Sequence, residues 1–266
     1  MISSIKKIIK KTLFEFLALF NKEYVIEYWQ IKNNERKIIP NITHFYEGFI
    51  FQNMKIIDVG ANIGNYSKVF TNFGARVIGV EPQKYCQRIL NKRFKKIKNF
   101  KLVSSAAGSI VSTASIHKSN SHTIASMNKN WIDNVKKSNR FIGEDWNKKE
   151  SIFVTTLDLI IKDNFLPDYI KIDVEGFEYE VLKGLNYPIN FISFEITLPE
   201  AKDSAIECIN KISNIGNYLF VIPNSNKLMD INVWCTKLEM LKKIEALSTG
   251  SDYISSDIYC KKIIIE

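Results

Sequence analysis

The sequence predicts an α/β protein built on a mostly parallel sheet with helices on both faces. Three observations carry that prediction. From residue 55 onward, short apolar β-forming runs alternate with stretches of helical periodicity. Lys55-Ile56-Ile57-Asp58-Val59 reads as a strand covered on both faces, and it runs into the turn Gly60-Ala61-Asn62-Ile63-Gly64 and a helix start. Strands also end beside acids (Asp58, Glu81, Asp173), at the side of an open α/β sheet where ligands bind.

Each element follows from local pattern. Residues 1 to about 22 form a basic segment followed by Leu13-Phe14-Glu15-Phe16-Leu17-Ala18-Leu19-Phe20. That run is too short to span a bilayer and carries Glu15. No small-residue cleavage site follows it, so it reads as an amphipathic helix that packs on its own domain or makes weak peripheral contact with an anionic membrane through residues 1–20. Residues 23–54 read as a variable region with a short strand at Tyr24-Val25-Ile26-Glu27-Tyr28. The core then runs strand 55–59, helix Asn65–Phe73, strand 76–80, helix Gln83–Lys95 and strand 100–103.

Residues 109–150 break the alternation and read as a long insertion, with an edge strand at Ser112–His117 and a polar, aromatic-dotted remainder. Insertions of this kind commonly act as lids or substrate loops. Regularity returns at Ser151–Asp158. A strand and turn follow at Tyr169–Gly176, and a helix from Phe177 to Lys183 is closed by Gly184. A strand at Phe191–Ile196, a helix from Glu200 to Ile212 and a strand at Tyr218–Ile222 come next. The last strand, Ile258–Ile265, is expected to insert antiparallel at the sheet edge. The organisation is an N-terminal helical segment over 1–49 and one domain over 50–266 with its insertion at about 109–150.

Composition bounds the partners. Lys+Arg 37 against Asp+Glu 28 gives a net charge of +9, which raises a polyanionic partner as a possibility. The lysines are scattered as pairs such as Lys6-Lys7, Lys95-Lys96 and Lys242-Lys243 rather than gathered in one block. Cys86, Cys208, Cys235 and Cys260 form no C-x-x-C pair, and His44, His117 and His122 form no metal-binding pattern. They read as reduced thiols of a cytoplasmic protein without a metal. Asp173 and Glu175 offer two carboxylates with no third ligand at obvious spacing.

The turn at Gly60 has the spacing G-x-x-x-G, with Asp58 before it. A dinucleotide fingerprint would be G-x-G-x-x-G, and a carboxylate beside the loop would repel a diphosphate. It suits the aminocarboxypropyl end of S-adenosylmethionine. Glu81, 23 residues after Asp58 and followed by Pro82, is placed to accept two ribose hydroxyls. The small residues Ser104-Ser105-Ala106-Ala107-Gly108 leave space for a flat adenine ring. Asp173, Glu175 and Glu178 cluster in the same crevice, and Asp173 is the candidate proton acceptor because an unpaired acid ending an apolar strand is costly. His122, on the insertion, is a second candidate base.

Asp58-Val59-Gly60-Ala61-Asn62-Ile63-Gly64-Asn65-Tyr66-Ser67, Val80-Glu81-Pro82, Thr156-Leu157-Asp158, Ile170 to Glu178 and Asp257-Ile258-Tyr259, in that order, resemble the FkbM family of S-adenosylmethionine-dependent methyltransferases. The resemblance covers roughly Ile50 to the C-terminus; residues 1–49 and 118–150 lie outside it or match weakly. It implies a class I methyltransferase (Rossmann-like) fold with seven strands and O-methylation of a sugar, glycan or other natural-product hydroxyl. It also implies that Asp58 and Gly60 line the methionine moiety, that Glu81 holds the ribose and that Ser105 and Ala106 sit by the adenine, with Asn62, Gly64, Tyr66, Ser67, Pro82 and Asp173 also in the cofactor site. Asp173 and Glu175 would stand at the methyl group and the acceptor. Competing readings are a nucleic-acid methyltransferase, a nicotinamide-dependent oxidoreductase and an inactive binding module. Specific nucleic-acid binding is not expected: Asp173-Val174-Glu175-Gly176 stands where amine-methylating enzymes carry [NDS]-P-P-[YF], and no Pro-Cys occurs.

Overall fold

A computed structural model describes residues 22–250 and 252–263. The amphipathic helix expected over the first 22 residues falls outside this range apart from Lys22. Helix α1 spans Lys22–Lys37, where a strand was expected at Tyr24–Tyr28. Aromatic and β-branched residues favour strands. A strand needs a partner, however, whereas a helix satisfies its backbone groups internally. Helix α2 (Ile39–Tyr46) carries Pro40 in its first turn and buries Ile42 and Tyr46.

The next five elements follow the sequence pattern to within a few residues: β1 (Lys55–Val59), α3 (Asn65–Asn72), β2 (Arg76–Val80), α4 (Lys84–Arg93) and β3 (Phe100–Val103). The insertion is itself folded. Strand β4 (Ala106–Ala107) precedes it, β5 (Ser112–Lys118) and α5 (Lys129–Lys137) lie within it, β6 (Lys148–Thr155) closes it, and the three strands form a second sheet of order β4-β6-β5. Helix α6 (Leu157–Asp163) starts at Thr156, whose hydroxyl accepts from Leu159 N–H. Then come β7 (Tyr169–Ile172), α7 (Glu178–Lys183), β8 (Phe191–Leu198), α8 (Lys202–Ile215), β9 (Tyr218–Val221), α9 (Lys237–Ser248) and β10 (Ile254–Lys262).

The main sheet has seven strands in the order β3-β2-β1-β7-β8-β10-β9. Strand β10 is antiparallel to both β8 and β9, so it lies inside the sheet and β9 is the edge. The expectation of an edge position failed because β10 finds a pairing partner on each side, β8 along Ile254–Lys261 and β9 along Tyr259–Lys262. Two apolar layers sandwich the sheet. Ile57, Ile170, Ile192 and Phe194 pack under α7, α8 and α9 on one face. On the other, Ile56, Val77, Tyr169 and Tyr259 pack under α2 and α3. The Tyr46 hydroxyl pairs with those of Tyr169 (3.1 Å) and Tyr259 (2.8 Å), which fastens α2 to the sheet although it belongs to the N-terminal segment. Among the described residues no helix is long and apolar enough to cross a membrane.

Strand order runs outward from β1 in one direction through β2 and β3, and in the other through β7. This reversal opens a crevice at the carboxyl ends of β1 and β7.

Candidate active site

The crevice begins at the turn after β1. Gly60 has φ +80°, and a Cβ there would lie 1.8 Å from the Asp173 carbonyl oxygen. The turns after β1 and β7 touch at this point, and only glycine permits it. Gly64, φ +84°, precedes α3, and a Cβ there would strike Leu90 and Phe94 of α4. Both glycines are therefore required by contacts within the protein, and Gly60 also lines the crevice.

Glu81 follows β2 and is 2 % exposed. Its carboxylate accepts Asn62 N–H at 2.9 Å and Gln83 N–H at 2.8 Å, so it holds the β1 turn and its own turn together. Each oxygen retains lone-pair capacity. Burial outweighs the hydrogen bonds and pushes its pKa up to about 7.

The electrostatic centre is Lys171, a residue that motif spacing does not mark. It lies on β7 and is 1 % exposed. Its Nζ donates to Asp173 Oδ2 at 2.8 Å and lies 4.1 Å from the centroid of the Tyr66 ring. Asp58 is its register partner on β1. Burial disfavours the ammonium, yet Asp173, Asp257, Tyr66 and Asp58 hold its pKa well above the ordinary value. Asp58 is itself 1 % exposed and accepts from Ser67 Oγ at 2.5 Å. Burial raises the Asp58 pKa, and Lys171 opposes the rise.

Of the residues that the sequence singles out, the crevice brings together Gly60, Asn62, Glu81, Pro82, Ala106, Asp173, Glu175 and His122. Asp58, Gly64, Ser67 and Ser105 are not among the residues that line it. Tyr66 faces a different cavity, described below. The Ser105 hydroxyl is buried without a hydrogen-bond partner. Asp173 departs from expectation in environment: its side chain is 31 % exposed and ion-paired, so it is neither unpaired nor deeply buried.

The insertion supplies the opposite wall through Ile116, His122, Thr123, Ala125 and Met127. It is latched across the crevice by the His122 carbonyl, which accepts from both Asn62 Nδ2 and Gln83 Nε2 at 3.1 Å. The His122 ring lies against Tyr85, its Nδ1 is buried without a partner, and burial lowers its pKa, favouring the neutral imidazole. It stands beside Glu81 and Gln83 in the crevice and does not line the second cavity.

That second cavity, of about 820 Å³, opens on the other side of Asp173. Asp173 lines both spaces. The wall includes Asn41, His44 and Phe45 of α2, Tyr66 of α3, Glu195 of β8, Asn226, and Ser255, Ser256 and Asp257 of β10. Glu195 also completes a group the spacing could not reveal: Asp173, Glu175 and Glu195 bring carboxylate oxygens within 4.8 Å of one another. Burial and the neighbouring acids raise the pKa values of Glu175 and Glu195 well above the usual carboxylate range.

Glu178 is 3 % exposed, accepts from Val174 and Gly176 N–H, and has its pKa pushed up to about 7, chiefly by burial. Glu81 and Glu178 thus bind protons more tightly in the folded than in the unfolded chain. Between the ordinary value of 4.5 and about 7 the folded state holds more protons, so their contribution to stability falls as pH rises through that window. Melting temperatures from about pH 5 to 8 are expected to fall less for a Glu81→Gln, Glu178→Gln double variant than for the unaltered protein. An identical slope in the two would refute this assignment.

Comparison with known proteins yields one family match. The family described as the methyltransferase FkbM domain matches residues 58–226, more than half of the chain. No curated protein matches. Among solved structures, a TehB-like SAM-dependent methyltransferase from Corynebacterium glutamicum shares 11 % identity over 91 % of this chain and 97 % of that one, with a TM-score of 0.48. The precorrin-6y C5,15-methyltransferase of Geobacter metallireducens shares 11 % over 84 % and 86 %, with a TM-score of 0.41. Fibrillarin from Aeropyrum pernix, solved with natively bound S-adenosyl-L-methionine, shares 10 % over 79 % and 67 %, with a TM-score of 0.39.

Proposed function

The chain belongs to the FkbM methyltransferase family, and from that premise we propose that it methylates a hydroxyl group of a sugar, glycan or similarly polar small molecule. The observation that carries this reading is the position of Asp173, shared by a crevice suited to the cofactor and a larger polar cavity suited to an acceptor.

The cofactor is S-adenosylmethionine, and the crevice fits it. Among the described residues lining the crevice there are three carboxylates, Glu81, Asp173 and Glu175, and no lysine or arginine. That donor set favours hydroxyls and a cationic centre over a pyrophosphate. Glu81 would hold the ribose, Ala106 and Ala107 would face the adenine, and Gly60, Asn62 and Asp173 would surround the methionine end. When bound, S-adenosylmethionine supplies an electrophilic methyl group on a sulfonium centre. The protein's task is then to place an oxygen in line with that methyl group and receive its proton.

Lys171 fixes the Asp173 carboxylate at the boundary between the two spaces. There Asp173 can accept a hydrogen bond from an acceptor hydroxyl and take its proton as the oxygen gains its methyl group. The amide and hydroxyl groups of Asn41, Asn226, Ser255 and Ser256, with Phe45 and Tyr66 beside them, suit a polyhydroxylated molecule.

Glu81→Ala is expected to weaken S-adenosylhomocysteine binding by about 1.5–3 kcal/mol, the scale of a lost hydrogen bond to a charged group. Calorimetry at a pH above the Glu81 pKa is the check. Unchanged affinity in a folded variant would remove Glu81 from the cofactor site.

A further inference from the structure

Strand pairing places Glu195 of β8 directly opposite Asp257 of β10. Like charges at directly opposed positions of an antiparallel pair destabilise the sheet. Both side chains line the 820 Å³ cavity together with Asp173. Lys171 serves Asp58, Asp173 and Asp257 together, and among the described residues lining the cavity there is no lysine or arginine for Glu195. His44, the basic side chain in this wall, is exposed and sits 3.9 Å from Glu47.

Their hydrogen bonds are also incomplete. Glu195 Oε1 accepts from Ser255 Oγ at 2.9 Å, while its Oε2 is buried with no partner. Asp257 Oδ2 accepts from the Tyr259 hydroxyl at a long 3.3 Å. A buried carboxylate oxygen with no donor costs free energy that a bound donor would recover. The unpartnered oxygen of Glu195, and the surplus of carboxylates over the one Lys171 they share, on one wall of one cavity, ask for a ligand that brings both donors and positive charge.

We infer that the acceptor carries a protonated amine beside its hydroxyl groups, as an amino sugar does, and that Glu195 and Asp257 receive that ammonium. The inference rests on the reading of this cavity as the acceptor site. An ammonium offers three donors, enough for Glu195 Oε2 and an oxygen of Asp257 at once. An acceptor bearing a phosphate or carboxylate at this position would be repelled by the same pair. A divalent cation is the rival occupant of these acids and is separated by experiment.

The test is ligand-observed NMR on the full chain saturated with S-adenosylhomocysteine, using the methyl glycosides of glucosamine, glucose and glucuronic acid. The glucosaminide is expected to bind at least about fivefold more tightly than the glucoside, and the glucuronide more weakly still. In Glu195→Gln, and separately in Asp257→Asn, the preference for the glucosaminide should fall below about twofold while the cofactor product still binds. Equal binding of all three glycosides, or a preference untouched by both substitutions, would overturn the inference. So would saturable binding of Mg²⁺ alone that is lost in Glu195→Gln, with no glucosaminide preference. Failure of S-adenosylhomocysteine to bind the unaltered protein is a different result, and it would overturn the underlying methyltransferase site as well.

Discussion

Lys171→Met is expected to destabilise the protein by about 3–5 kcal/mol, the cost of leaving a buried charge without its partner. Lys171 is 1 % exposed and is the cation around which Asp58, Asp173 and Asp257 are arranged. Methionine matches its volume but leaves those carboxylates facing one another. Lys171→Arg keeps the charge in a bulkier fork and should lose less. Denaturant unfolding at neutral pH is the measurement, and a loss below about 1 kcal/mol for Lys171→Met would show that the ion pair with Asp173 is peripheral to the fold.

Asp173→Asn is expected to lower kcat on an identified acceptor by at least about tenfold, within a range that reaches ~10²–10⁴ when a proton acceptor is lost. Cofactor affinity should change far less, because Gly60, Asn62 and Glu81 remain. The substitution preserves shape and leaves Lys171 with a neutral oxygen, so a modest drop in stability should accompany the kinetic effect. Near-wild-type turnover would move the proton acceptor to Glu195, which lines the cavity proposed for the acceptor and has its pKa raised by burial and by Asp173.

The parts of this molecule that are legible in its sequence are those governed by local pattern. Strands β1, β2 and β3 are short, mainly apolar runs bounded by turns, and they lie where the sequence pattern puts them. The crevice is legible because Asp58, Gly60 and Glu81 occur at the spacing of one strand-helix-strand unit. Residues joined only by topology are not. Lys171 looks like a surface lysine until β7 is known to lie beside β1, which makes Asp58 its register partner. Its spacing of two from Asp173 is the available sign that both point the same way along the strand. Glu195 and Asp257 meet because β10 inserts next to β8, a placement that apolar content alone does not predict. Helix α9 is announced by the capping box at Thr236 and Glu239, a local signal absent from the pattern of strands and helices expected above. The strand expected at Tyr24–Tyr28 shows the opposite error, in which β-propensity points to a strand where the described residues offer no partner strand.

The most direct test of the proposed site is a crystal structure of the protein with S-adenosylhomocysteine. The expected result has the ribose hydroxyls on Glu81, the adenine against Ala106 and Ala107, and the sulfur turned towards Asp173 and the cavity that holds Glu195 and Asp257. A ligand lying in the crevice with its sulfur turned away from Asp173, towards His122, would contradict it.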